Sequence, residues 1–411
     1  MPNTFARQLR RISGLNRNTR LFMAMIGIYG LGNSIFQLLF NLFILARGDD
    51  LAFLGLLKSS ISLAALVLGL PLGMLTDRIG IRRSMLLGVI CSSVGIGALV
   101  LAPVDGLLLL AAAVLGIGNA LFRAAGPAFI AQNTTEDEQP TAFSLQSSLR
   151  MLVAFGGSIV GGAIPGWFAV RLGIGPESAA AYRATLLIAC FTMGLSLIPL
   201  LVIRQRKRPE PGPLVGVAFS IGSLLRRQDV RRLVVTQLII SLGAGLLIPY
   251  LNIFLKVRFG ISDHLLGWVF AIYQLLIGVG TLAAPILSER WGEVRTIVGT
   301  QLASLPFLMA LGFTPVLPVA IGALWLRAML MNMGNPLYTA FAMRQARDKE
   351  RGKVGALLGA TSSVGWMIGP GVSGLVQQHL GFSPLFLTTG ATYLLASLLM
   401  HLFFKEVEEP A

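Results

Sequence analysis

"PLGMLTDRIGIRRS", residues 71–84, lies between two long apolar runs. It combines one carboxylate, Asp77, with three arginines, and the glycines Gly73 and Gly80 flank that carboxylate. Glycine permits a tight turn and a close approach of helices. A charged segment with turn-forming residues between apolar runs is typical of a connector between two membrane-spanning helices. The stretch therefore predicts that the chain leaves a membrane near Asp77 and enters it again soon afterwards.

The composition of the whole chain supports this interpretation. Of the 411 residues, 55% are hydrophobic and only 12% are charged, whereas soluble domains are about 25% charged. Apolar stretches close to the ~20 residues that span a bilayer core recur along the chain. The formal net charge is +15. Because the basic residues lie in short connectors between apolar runs, we assign them to membrane orientation and expect no nucleic-acid partner.

The hydrophobic pattern predicts an all-α polytopic membrane protein with twelve transmembrane helices. The predicted spans are 21–46, 52–75, 85–103, 105–131, 143–168, 184–203, 231–257, 264–288, 296–314, 317–343, 354–379 and 383–404. The longest connector, 204–230, contains prolines and like charges, which indicate a linker. We therefore predict six-helix halves at 21–203 and 231–404, with short terminal segments at 1–20 and 405–411.

The distribution of basic residues predicts the orientation of the chain. Twenty-four Lys and Arg residues fall on the side of the N-terminus and five on the opposite side. Cytoplasmic loops carry an excess of Lys and Arg. Both termini are therefore predicted to be cytoplasmic, in a plasma (inner) membrane.

An echo of the opening stretch occurs in the second half, as "LAAPILSERWGEVRT" at residues 282–296. With an offset of 212 residues, four matched pairs align: Asp77 with Glu289, Arg78 with Arg290, Gly80 with Gly292, and Arg83 with Arg295. We interpret the halves as related copies in a pseudo-symmetric arrangement around a central cavity, which is a transporter architecture.

The pattern G-x-L-x-D-R-x-G-x-R-R between spans 2 and 3 resembles the signature of the major facilitator superfamily. Here it consists of Gly73, Leu75, Asp77, Arg78, Gly80, Arg82 and Arg83. The resemblance covers nearly the whole chain, and it implies a secondary transporter that works by alternating access. The sequence offers no nucleophile–base set, no metal cluster and no phosphate-binding loop, so we expect neither an enzyme nor a cofactor, no catalytic residue and no metal ligand.

The resemblance also implies a role for the repeated motif as a conformational latch. Asp77 would face the positive helix N-terminus near 352–356, and Glu289 would face the start of span 5 when the cytoplasmic side is shut. The predicted latch residues are Gly73, Asp77, Arg78, Gly80, Arg83, Glu289, Arg290, Gly292 and Arg295. The alternative is that these charges only set the topology.

Glycine pairs at 69/73, 157/161, 355/359 and 365/369 predict close helix packing.

The resemblance implies that spans 1, 4, 7 and 10 line the central cavity. Their polar residues are the candidate substrate-binding set: Tyr29, Asn33, Gln37, Asn41, Asn119, Arg123, Tyr250, Asn252, Arg327, Asn332, Asn335 and Tyr338. In span 1 these residues recur every four positions and share one helix face. The alternative is that the polar groups join helices to one another without touching a solute.

Charged residues inside the spans narrow the predicted substrate. Arg327 lies near mid-helix, where insertion costs at least ~2.5–3.5 kcal/mol, so we expect it to contact an anionic group. Arg123 and Arg150 lie nearer the helix ends and either contact solute or pair with Asp77 or the acidic run 136–138.

All 18 acidic residues fall outside the span interiors. An exporter of cations usually has a buried acid, so we favour neutral, amphipathic or anionic solutes. Efflux, a coupling proton and a monomeric state are further expectations. The alternatives are a proton-coupled multidrug exporter of cationic drugs and, from another class, a non-transporting membrane sensor or assembly protein.

Overall fold

The computed structural model describes residues 16–135, 137–204, 222, 224–347 and 350–405. Much of the predicted segments 1–20, 204–230 and 405–411, and one residue of the acidic run 136–138, lie outside these ranges. Throughout the described ranges the regular structure is helical, without strands. The all-α class predicted from the hydrophobic pattern is therefore confirmed.

In the first part of the chain, the described residues form seven α-helices. They are α1 (Arg17–Ala46), α2 (Leu51–Ile79), α3 (Ile81–Leu101), α4 (Asp105–Asn133), α5 (Gln139–Leu172), α6 (Ala179–Leu195) and α7 (Leu197–Val202). The second part contains α8 (Gln228–Leu247), a 3₁₀ turn (Ile248–Tyr250), α9 (Leu251–Phe259), α10 (Asp263–Trp291), α11 (Glu293–Phe313), α12 (Leu317–Gln345), α13 (Arg351–Leu380) and α14 (Ser383–Phe404). Each predicted span coincides with one helix or with a pair of consecutive helices.

Two of the predicted spans are interrupted. Span 6 consists of α6 and α7, which meet at Ser196. Span 7 consists of α8, the 3₁₀ turn and α9, and Pro249 lies in that turn. Proline lacks the N–H that would continue the helical hydrogen-bond pattern, so the interruption at Pro249 has a local cause.

Within the described part of the chain, eleven helical segments are long and apolar enough to cross a membrane by length and composition. The remaining long helix, α13, has 30 residues and seven glycines, which lower its apolar character. The polytopic prediction is thus confirmed, with span 11 as the least apolar of the twelve predicted spans.

The chain divides into two compact units. The first comprises Met1–Arg47, Leu63–Pro213 and Asp263–Ala271, and the second comprises Gly48–Ser62, Leu214–Ser262 and Ile272–Ala411. In the first unit α1 packs on α5 and α6, and α3 packs on α4 and α6. In the second unit α8 packs on α13 and α14, and α11 packs on α12 and α14. The same helix pairs meet in both units.

The glycines with positive φ follow the same repeat. Among the described residues they form three pairs: Gly48 (φ 101°) with Gly260 (61°), Gly80 (92°) with Gly292 (84°), and Gly173 (64°) with Gly381 (75°). The first two pairs are 212 residues apart and the third is 208 apart. Because side chains other than glycine's rarely adopt this conformation, the turns of both halves need glycine at corresponding positions.

Two of the predicted glycine pairs mark close helix contacts. A Cβ on Gly157 would lie 2.6 Å from Cβ of Ser34 on α1, and a Cβ on Gly369 would lie 2.5 Å from the carbonyl carbon of Gly245 on α8. Close packing is wrong for Gly69 and Gly73, because no described atom lies within 4 Å of a Cβ built there. In the described structure Gly73 therefore serves no helix contact.

Candidate functional site

A cavity of about 180 Å³ lies inside the second unit, among α8, α11, α12, α13 and α14. Its polar lining includes Gln237, Ser241, Gln301, Asn332 and Asn335. Aromatic rings complete the wall, from Tyr338, Trp366 and Tyr393. None of the described residues that line this cavity carries a charge. A lining of amides, hydroxyls and aromatic rings can bind a polar or amphipathic group, and the group does not need to carry a positive charge.

Three of the residues predicted on span 10 meet at this cavity. The amide of Asn335 donates from Nδ2 to Oδ1 of Asn332 at 3.0 Å, and Asn332 donates from Nδ2 to the carbonyl of Ala328 at 2.8 Å. Tyr338 donates from its hydroxyl to the carbonyl of Leu233 on α8 at 2.7 Å. These bonds orient the three side chains before any solute arrives.

Arg327 lies one turn before Met331 on the same helix and is only 1% exposed. Its Nη2 atom donates to the hydroxyl of Tyr393 on α14 at 2.8 Å. Tyr393 lines the cavity, whereas Arg327 is not among the lining residues. The predicted anion-contacting arginine is therefore buried directly behind the cavity wall.

In the first unit, Tyr29 joins three helices. Its hydroxyl donates to Oγ of Ser92 on α3 at 3.1 Å and lies 3.4 Å from Oδ1 of Asn119 on α4. Its ring stacks on Phe122, with the centroids 4.4 Å apart. These contacts match the alternative in which a polar residue of span 1 joins helices.

The other predicted cavity residues of the first half differ in burial. Asn41 is 1% exposed. Asn33 is half-buried, and Gln37, Arg123 and Arg150 are exposed. The residues at four-residue spacing on α1 therefore differ in environment. Tyr29 and Asn41 are buried, whereas Gln37 is exposed.

On span 7, Tyr250 and Asn252 are both buried. Tyr250 donates from its hydroxyl to the carbonyl of Pro370 on α13 at 2.7 Å, and neither residue lines the cavity described above. In this structure Tyr250 therefore joins α13 to the start of α9.

The motif residues lie at the ends of helices. Gly80 and Gly292 are the N-cap residues of α3 and α11. Exposed side chains surround both turns: Asp77, Arg78, Arg83, Glu289, Arg290 and Arg295. The geometry of the two turns is alike, as the sequence repeat predicts.

Sequence reasoning missed three structural contacts of charged groups. Arg82 donates to the carbonyls of Leu200 (3.2 Å) and Leu201 (2.7 Å), at the C-terminal end of α7. Glu293 forms an ion pair with Arg344. Asp263, which the sequence placed just outside span 8, is the first residue of α10, is 6% exposed and accepts a hydrogen bond from Tyr182 at 3.1 Å. These pairs join positions far apart in sequence, so no local pattern indicates them.

A further missed contact is the ion-pair cluster around Arg227, which precedes α8. Arg227 pairs with Asp229 and with Glu350, the latter at 2.6 Å. The hydrogen bond to Asp229 raises the pKa of the Arg227 guanidinium above its ordinary value. The sequence pattern assigns the Lys and Arg residues of this connector to membrane orientation, so it does not predict this pairing.

Two sets of membrane helices with matching helix contacts, and a polar cavity inside one of the sets, are typical of a membrane transporter. The sequence matches the Major Facilitator Superfamily over residues 22–235 and again over residues 233–411. The chain therefore belongs to this superfamily, and it is a transporter and not an enzyme. The double match agrees with the internal repeat.

Similar proteins include several that are named for drug export. The multidrug efflux protein YfmO of Bacillus subtilis (strain 168) is 23% identical over 64% of this chain and 62% of its own length. The class C tetracycline resistance protein of Escherichia coli is 25% identical over 73% of each chain. The staphyloferrin B transporter of Staphylococcus aureus (strain NCTC 8325 / PS 47) is 30% identical, over 41% of each chain.

Solved structures share the fold. A bacterial homologue of the human lysosomal transporter Spinster, in an inward-facing and unoccupied conformation, superposes with a TM-score of 0.77 and 18% identity, covering 96% of this chain and 98% of that one. The nucleoside transporter NupG superposes with a TM-score of 0.76 and 12% identity, covering 94% and 99%.

Proposed function

We propose that the protein is a secondary transporter that moves a small solute out of the cell by alternating access. The direction rests on the relatives named for multidrug efflux and tetracycline resistance. The preferred solutes are neutral, amphipathic or anionic. The observation that carries this preference is the cavity lining of amides, hydroxyls and aromatic rings, without a carboxylate to attract a cation.

The volume of the cavity limits what it holds. Pockets for drug-sized ligands measure roughly 300–1,000 Å³, whereas this cavity measures about 180 Å³. The cavity therefore receives a small solute or one end of a larger one. We propose that Asn332, Asn335 and Tyr338 contact that group, while the candidate residues of the first half serve another part of the pathway.

Counterflow into proteoliposomes tests the proposal. Purified protein is reconstituted, and uptake of labelled anionic, neutral and cationic solutes of similar size is compared with that of empty vesicles. We expect exchange of anionic or neutral solutes and little exchange of cations. Exchange of cations alone, coupled to a pH gradient, would instead support the second candidate, a proton-coupled exporter of cationic drugs, which the names of the relatives favour.

The repeated motif has a separate proposed role. We propose that Asp77 and Glu289 form the latch that holds the cytoplasmic side shut, with both termini in the cytoplasm and the protein in the plasma (inner) membrane. Support comes from the matching turns at Gly80 and Gly292, which present exposed charges in both halves. Labelling of single cysteines introduced next to these turns, from inside and outside intact cells, tests the orientation.

A further inference from the structure

Arg327 is a buried cation that the fold itself does not require. It is 1% exposed and has the largest volume among the fully buried side chains of the described chain. The residue 212 positions earlier, in the first copy of the repeat, is Leu115, which is also buried. Because the same position of the repeat accepts a leucine, the arginine is there for a reason other than helix packing.

The hydrogen bonds of Arg327 are incomplete. Nη2 donates to the hydroxyl of Tyr393, and Cζ lies 5.5 Å from the centroid of that ring. Nε and Nη1 are buried and have no hydrogen-bond partner among the described residues. A buried guanidinium normally has its donors satisfied. Two unused donors on a buried cation indicate a missing acceptor with negative charge.

Tyr393 separates this cation from the cavity. The tyrosine lines the cavity together with Gln301 and Met331, and it is also the acceptor for Arg327. Tyr393 is therefore the group that contacts both the guanidinium and the cavity, and its movement would be needed before a solute could reach Arg327. Gly243 on α8 lies against this ring, since a Cβ there would be 3.1 Å from Cε1 of Tyr393.

We infer that Arg327 and Tyr393 form a carboxylate-binding subsite for one end of the solute, in which the Tyr393 hydroxyl holds the place of the carboxylate until it arrives. This inference rests on the proposed function, because it assumes that solute enters the cavity of the second unit. It specifies the class of solute as organic anions that carry a carboxylate.

The geometry of a guanidinium supports the exchange of acceptors. A carboxylate accepts two hydrogen bonds from either of two edges, one formed by Nε with Nη2 and the other by Nη1 with Nη2. Nη2 belongs to both edges, and it is the atom that donates to Tyr393. Nη2 carries one N–H for each edge, and the tyrosine hydroxyl accepts one of these two hydrogens. A carboxylate that binds on that edge therefore competes with the tyrosine hydroxyl.

Binding of three aromatic probes of similar size to the purified full-length protein in detergent tests the inference. The probes are benzoate, the neutral benzamide and the cationic benzylamine, and affinity is measured by titration calorimetry and by the shift in unfolding temperature. We expect benzoate to bind at least about tenfold more tightly than either control, because only its carboxylate pairs with a buried guanidinium.

Variants distinguish the roles of the two residues. Arg327→Leu, which copies Leu115, should abolish the preference for benzoate, and Arg327→Lys should weaken benzoate binding about tenfold because the planar fork is lost. Tyr393→Phe should tighten benzoate binding by up to about tenfold, because a competing acceptor is removed. Arg183→Leu, at an exposed position, controls for net charge and should leave all affinities unchanged.

Three outcomes would overturn the inference. They are equal binding of benzoate and benzamide, unchanged benzoate binding in a folded Arg327→Lys protein, and Arg327-dependent stabilisation by chloride that benzoate does not displace, which would indicate a structural ion. If Tyr393→Phe does not strengthen benzoate binding, the place-holding role of Tyr393 is wrong. Counterflow is measured separately, so benzoate binding without any transport contradicts the proposed function and leaves the subsite intact.

Discussion

Arg227 donates a hydrogen bond from Nη2 to the backbone carbonyl of Gln345, with 3.0 Å between the two atoms. The carbonyl of Asn133, 212 residues before Gln345, accepts a hydrogen bond from the side chain of Asn16. Asn16 and Arg227 are the N-cap residues of α1 and α8, and Asn133 and Gln345 are the last residues of α4 and α12. In each unit, therefore, the side chain of an N-cap residue donates a hydrogen bond to the carbonyl of the last residue of another helix. The carbonyls at a helix end have no partner within their own helix, so these bonds satisfy them.

The contact in the second unit predicts a loss of stability when Arg227 is replaced. Arg227→Gln removes the bond to Gln345 and the ion pairs with Asp229 and Glu350. Because the three side chains are partly exposed, we expect a loss of about 1–3 kcal/mol. Thermal unfolding in detergent measures this loss. Arg226→Gln, at the exposed neighbouring position, is the control, and an equal loss there would contradict the prediction.

The crossing of α10 over α5 predicts opposite effects at two glycines. A Cβ at Gly267 would lie 2.6 Å from the carbonyl oxygen of Ser158, a backbone atom that moves little. Gly267→Ala should therefore destabilise the protein by about 1–3 kcal/mol. Gly69→Ala, at a helical site with open space, should be neutral or stabilising by up to about 1 kcal/mol. If both variants unfolded at a lower temperature than the unsubstituted protein, the distinction between a close contact at Gly267 and open space at Gly69 would be wrong.

Tyr250 and Asn335 should separate stability from solute binding. Tyr250→Phe leaves the buried carbonyl of Pro370 without its donor, and we expect a loss of about 1–3 kcal/mol with an unchanged KM for transport. Asn335→Ala, at the cavity wall, should raise KM with little change in stability. Unfolding and concentration-dependent counterflow measure the two effects. A raised KM for Tyr250→Phe would restore Tyr250 as a substrate-binding residue.

The proposed latch predicts a defect in transport without a defect in binding. Asp77→Asn should lower the transport rate by roughly five- to 150-fold, the range of typical coupling energies between sites, while solute binding to the purified protein stays largely intact. Asp137→Asn, also exposed, is the control for loss of one negative charge. Loss of binding with an unchanged conformational equilibrium would show that the latch interpretation is wrong.

Local features of the sequence were sufficient to predict the helical spans and the internal repeat. Apolar length predicts the spans, because a bilayer core demands ~20 apolar residues for each helix. The 212-residue offset predicted that the turns of both halves would correspond, and Gly80 and Gly292 share positive φ as a result. These properties depend on the residues within one segment, so they can be read without knowledge of neighbouring helices.

The cavity depended on the tertiary structure. The family resemblance predicted Asn332, Asn335 and Tyr338 for a central cavity lined by spans 1, 4, 7 and 10. The cavity of the second unit contains these three residues together with Gln301, Trp366 and Tyr393, which come from α11, α13 and α14.

The reason is that the bilayer supplies no hydrophobic force between apolar helices. Their packing is decided by small-residue contacts and interhelical hydrogen bonds between segments that are distant in the chain. The sequence determined that Arg327 lies inside a membrane helix. Only the packing of α12 and α14 on their shared neighbour α11 decided that Tyr393 would contact it and that two of its nitrogen donors would remain without a partner among the described residues.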